Sequence, residues 1–61
     1  MNTQIKNTLT YKLVEQQARE LSTKTTNTIY VIYRNKSLIT SLIQEEGQLL
    51  STFFLGSEIN N

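Results

Sequence analysis

The side chains of this chain that carry charge at neutral pH are six Lys or Arg and five Glu, with no His, no Cys and no Asp. Acid–base chemistry near neutral pH draws first on His, and nucleophilic chemistry on Cys or on a Ser activated by a base. Ser and Thr are plentiful, but no imidazole or thiol exists to complete a triad or dyad. A Ser–Lys pairing, such as Ser37 with a lysine, is formally left, and nothing in the spacing places one in a cleft. The adjacent carboxylates Glu45 and Glu46 precede Gly47 in a segment that reads as an exposed turn, where charge discourages edge-to-edge pairing of sheets. Thiolate and imidazole metal sites are impossible, and the glutamates 15, 20, 45, 46 and 58 are too few and too scattered for structural zinc. There is no Gly-rich phosphate loop. No catalytic, cofactor-binding or metal residue is therefore assigned, no cofactor is expected, and the chain reads as a non-enzyme.

One cluster could contact nucleic acid. Tyr30, Tyr33, Arg34, Asn35 and Lys36 put aromatic rings beside a basic hairpin tip, where Arg34 and Lys36 could meet phosphate. Strand side chains alternate, however, so Tyr30 and Tyr33 fall on opposite faces and cannot form one stacking platform. A formal net charge of +1 is also far from the basic bias of a dedicated nucleic-acid binder. Nucleic-acid binding is the alternative reading, not the primary one.

The elements that carry these residues must fit a single small domain of 61 residues. A chain this short buries only about 60% of the surface it exposes when unfolded, and small domains gain support from disulfides, metals or association. With the first two ruled out by composition, association remains. The absence of Cys fits a reducing cytoplasm. Residues 1–7 contain no apolar stretch resembling a secretory signal, and no window approaches the ~18 apolar residues of a membrane span. The Asn-, Thr-, Ile- and Lys-leaning composition suits a phage or bacterial accessory or inhibitor protein.

Along the chain, Ile5, Leu9, Leu13, Val14, Ala18 and Leu21 recur at helical spacing and predict one amphipathic helix over about 8–22. Residues 8–13 also alternate as a strand would, and the good helix formers of 13–21 decide for helix. Asn7, Thr8 and Thr10 are candidate N-caps. A polar connector, 22–27, leads to strands predicted at about 28–34, 37–43 and 48–55. The first two are joined by a two-residue Asn35-Lys36 turn, and the last two by a turn ending at Gly47. Residues 1–6 and 57–61 are expected to be loose ends. The predicted fold is α+β: an N-terminal amphipathic helix packed on a three-stranded antiparallel β-meander.

The Asn35-Lys36 turn sets Tyr33 opposite Leu38, Val31 opposite Thr40 and Ile29 opposite Leu42. With Leu49, Ser51, Phe53 and Leu55, these make the face expected to receive the helix. Ala18, Leu21, Val31, Leu38 and Phe53 are expected at its buried centre. The other face is also apolar, with Tyr30, Ile32, Ile39, Ile43, Leu50 and Phe54. A sheet open to water on one side normally alternates apolar and polar residues, and a large apolar patch marks an interaction site. Tyr30, Ile32, Ile39 and Phe54 are accordingly the candidate partner-binding residues. The expected function is a protein-interaction module that forms a homodimer or docks on a larger protein.

Overall fold

The computed structural model describes residues 3–59. A short helical turn, α1 (Thr3–Lys6), precedes the main helix α2 (Leu9–Thr25). Thr8 is the N-cap, with extended backbone. Its hydroxyl accepts from the Tyr11 N–H at 3.1 Å and donates to the Ile5 carbonyl at 2.6 Å. Satisfying an otherwise orphaned N–H is what tips residues 8–13 into helix despite their alternation. The helix stops at Thr26, whose φ of 57° lies in the left-handed region where helices commonly end.

Four antiparallel strands follow: β1 (Ile29–Arg34), β2 (Ser37–Ser41), β3 (Gln48–Phe54) and β4 (Ser57–Glu58). Their order across the sheet is β2-β1-β3-β4. The architecture is thus α+β, with an N-terminal helix on an antiparallel sheet. Of the segment expected as a loose tail, residues 57–58 form β4 and the Ile59 N–H donates to the Thr52 carbonyl at 2.8 Å. Residues 1, 2, 60 and 61 lie outside the described residues.

Asn35 and Lys36 form the two-residue turn, with φ of 54° and 62°, and the pairs Tyr33–Leu38 and Val31–Thr40 stand as the turn requires. Strand β2 ends at Ser41, so Leu42 does not reach Ile29 and lies with Ile43 in the following connection. Strand β3 pairs with β1, not with β2. Both β2 and β3 are antiparallel to β1, so they run parallel to each other on either side of it. The connection 42–47 must therefore run from beside Tyr30 back to beside Tyr33 while crossing from one flank of β1 to the other. That is about 10 Å along the strands and about 10 Å across them, within reach of a short segment.

The core lies between helix and sheet: Tyr11 and Ala18 from α2 meet Ile29, Val31 and Phe53, with Val14, Leu38 and Leu50 packed against them. Ser22 and Ser51 are buried with them. The Tyr11 hydroxyl hydrogen-bonds the Ser51 hydroxyl, and the Ser22 hydroxyl accepts from the Gly56 N–H at 2.9 Å. The helix face differs from the leucine stripe expected from spacing. Leu9, Leu13 and Leu21 are exposed, at 73%, 54% and 39%. The inward azimuth is instead Tyr11, Val14, Ala18 and Ser22, spaced three or four apart. Small side chains at Ala18 and Ser22 let the helix come close to a sheet that already supplies Phe53, Ile29 and Val31. Polar atoms at Tyr11 and Ser22 conceal this face in a hydropathy pattern.

Strand β3 carries a bulge. Its register against β1 shifts between Val31–Ser51 and Ile32–Leu49, leaving Leu50 without an opposite residue. A bulge lets two successive side chains share one face. Leu50 and Ser51 both meet the helix side, while Leu49 falls on the outer side opposite Ile32. The bulge thereby moves Leu50 from its expected outer face to the core, and Leu49 the other way. Leu55 leaves the strand for the turn with Gly56, at φ of 53° and 84°.

Candidate protein-interaction surface

The face of the sheet away from α2 is built by alternation. On β1, Ile29 and Val31 point to the helix, so Tyr30, Ile32 and Arg34 point outward. Across the register, Tyr30 brings Ser41 and Thr52 to the outer face, and Ile32 brings Ile39 and Leu49. Phe54 follows by alternation from the buried Phe53. The predicted partner residues Tyr30, Ile32, Ile39 and Phe54 therefore share one face.

They are not equally accessible. Ile32 is fully buried although it lies outside the helix-side core. The connection 42–47 covers it. A Cβ added to Gly47 would sit 2.7 Å from Ile32 Cγ2 and 3.1 Å from Arg34 Cβ, so the backbone there lies directly on Ile32. Gly47 also has a φ of 129°, which side chains rarely adopt. Glu45 anchors the crossing. Its carboxylate accepts from the Ser41 hydroxyl at 2.7 Å and pairs with Arg34 at 3.4 Å. Arg34 also reaches the Glu46 carbonyl at 3.3 Å.

What remains open is still apolar. Tyr30 and Ile39 are half-buried, and Leu49 and Phe54 are each 40% exposed. The covering segment carries Leu42 and Ile43, 59% and 66% exposed. Covering Ile32 thus leaves two other apolar side chains in water. Sequence reasoning placed Ile43 on this face, though as part of β2, and missed Leu49 and Leu42 as members of the surface. The bulge that turns Leu49 outward and the crossing that strips Leu42 and Ile43 from β2 have no local signal.

The alternative site fares differently. Tyr30 and Tyr33 lie on opposite faces, as alternation requires; Tyr33 lines a groove with Val14 and Leu38 on the helix side. Arg34 is held by Glu45 and Glu46, and Lys36 stands exposed at the turn. Arg34 and Lys36 therefore do not form a free basic pair. Glu45 and Glu46 divide their work: one carboxylate secures the crossing, and only the Glu46 carbonyl takes part. Among the described residues, no group of His, Cys, Asp and Glu is close enough to hold a metal ion. No helix there is long and apolar enough to cross a membrane. No protein-family model, curated protein or solved structure matches this chain.

Proposed function

We propose that the protein is a small, non-catalytic interaction module that docks on another protein chain, a second copy or a larger protein, through the outer face of its sheet. The observation that carries this reading is the apolar outer surface that persists after the connection 42–47 has crossed it: Tyr30, Ile39, Leu49 and Phe54, with Leu42 and Ile43. Soluble monomers rarely present contiguous apolar patches of more than a few hundred Å² without a use for them. Tyr30 is the expected anchor, since Tyr is enriched among residues that dominate binding energy. A lack of His, Cys and Asp supports a non-catalytic role.

The test is a pair of substitutions read by capture of partners and by solution mass. Tyr30→Ala and Phe54→Glu should abolish association while helix content stays at the wild-type level. Ile32→Glu is unsuitable, because a buried charge at that position would unfold the domain. Reversing Lys36, the exposed charge of the turn, to Glu should change association little, and raising salt should weaken it little. A steep loss with salt, the signature of phosphate contacts, together with loss on the charge reversal, would replace this reading with nucleic-acid binding.

A further inference from the structure

We propose that strand β2, the free edge of the sheet, pairs with β2 of a second copy of this chain about a two-fold axis at Ile39, making one continuous sheet. The surface is the edge, not the outer face, so the proposal stands or falls separately from the reading above.

The first ground is that the edge is unprotected. Natural sheets blunt their edges with charge, Pro, bulges or very short strands. At one edge, β4 is only two residues long. The other edge, β2, is Ser37-Leu38-Ile39-Thr40-Ser41, with no charge, no Pro and no Gly. The register shift in the sheet lies between β1 and β3, away from β2.

The second ground is where the backbone groups of β2 point. The turn is two residues long, so Arg34 and Ser37 are the pair that closes it by hydrogen bonding. Hydrogen-bonded and non-hydrogen-bonded pairs then alternate along an antiparallel ladder. Ser37, Ile39 and Ser41 therefore bond inward to β1, and the N–H and C=O groups of Leu38 and Thr40 point outward.

The third ground is self-complementarity. An antiparallel pairing centred on Ile39 sets Leu38 of each copy opposite Thr40 of the other, the very residues with outward groups, and each such pair can exchange both of its N–H···O bonds. It also sets Ser37 opposite Ser41 and Ile39 opposite its own copy, with the whole strand engaged and no like charges opposed. A closed two-fold contact needs this kind of self-matching patch.

The fourth ground is the helix above the edge. Arg19 turns toward Phe53 and Gly56, on the β3–β4 side. Thr10 and Val14 instead line a groove with Ser37 and Leu38 of β2. At about 100° per residue, Leu21 falls between Thr10 and Val14 in azimuth, with Gln17 next to them. The exposed Leu21 thus lies on the flank above the open edge, whereas Leu13 lies on the back of the helix. A two-fold perpendicular to the sheet keeps both helices on one face and turns these flanks toward each other across the seam.

Sedimentation of the wild-type chain should show a dimer at micromolar concentration. Hydrogen exchange should show the Leu38 and Thr40 amides gaining protection as concentration rises, since among the described residues no strand pairs with that side of β2. Thr40→Pro removes an outward N–H and leaves the ladder with β1 intact. It should loosen the dimer about thirtyfold or more with unchanged circular dichroism, whereas Thr40→Val should leave it intact. If Thr40→Pro disturbs the fold, the exchange measurement on the wild type decides. A wild type that stays monomeric into the high-micromolar range overturns the proposal. So does exchange at Leu38 and Thr40 that does not depend on concentration. A dimer that resists Thr40→Pro but dissociates with Phe54→Glu overturns it too, while supporting the outer face as the docking surface.

Discussion

Two hydroxyls and one guanidinium tie the helix to the sheet. Arg19 lies 4.8 Å above the Phe53 ring, donates to the Gly56 carbonyl at 2.8 Å and pairs with Glu15 at 2.8 Å. Ser22 receives the Gly56 N–H, so both polar groups of that glycine's backbone are bound by the helix. At the other end, Tyr11 and Ser51 hydrogen-bond each other inside the core, where neither can turn to water. Removing one partner strands the other, whereas removing both does not. Tyr11→Phe and Ser51→Ala should therefore each cost about 1–3 kcal/mol, and the double variant clearly less than their sum. Urea unfolding of the four proteins measures this, and strict additivity would show that the two hydroxyls do not depend on each other. Tyr11 and Ser22 were also the residues that hid the buried helix face from the sequence. Periodicity weighs side chains by hydropathy, and a buried hydroxyl with a partner is indistinguishable from an exposed one. Ala18, Val31, Leu38 and Phe53 were legible because their apolar character agrees with their place, whereas Leu21 was misread for the same reason that Leu9 and Leu13 were.

At the scale of elements, the β1–β2 hairpin was readable because its register is set by its own turn. Both turn residues have positive φ, which suits Asn35 but strains Lys36. Lys36→Gly should stabilise the domain by about 0.5–1 kcal/mol, read as a shift of the urea midpoint at constant slope. An unchanged midpoint would mean that the positive φ carries little strain. The partnership of β3 was not readable in this way. The four-residue polar stretch 44–47 between predicted strands looks like a hairpin loop, and only tertiary contacts at Ile32, Ser41 and Arg34 reveal that the connection 42–47 crosses the sheet. The bulge at Leu50 follows from that pairing and shares its invisibility. Among the candidate site residues, the common face of Tyr30, Ile32, Ile39 and Phe54 came from alternation alone. The burial of Ile32 depended on the crossing and could not be read from alternation.

At the scale of the whole molecule, charge does little. The ion pairs Lys6–Glu58, Glu15–Arg19 and Arg34–Glu45 all keep a quarter or more of each side chain in water, and such pairs contribute about 0–1 kcal/mol each. Apolar burial on the two sides of β1 is what remains to hold the domain: a helix on one side and the segment 42–47 on the other. That second cover has a kinetic consequence. The β1–β2 hairpin closes over its own turn, at little loop-closure entropy, but the segment 42–47 can settle on Ile32 only after β1 exists to be crossed. The expected order of events is hairpin first, crossing and β3 docking late. Stopped-flow kinetics should then show Lys36→Gly acting mainly by speeding folding, and Gly47→Ala mainly by speeding unfolding. The reverse partition would mean that the crossing belongs to the nucleus. In the expected order, the strand β2 spends the interval before β3 docks as part of a two-stranded ribbon with both apolar faces open, and that interval is when refolding competes most directly with aggregation.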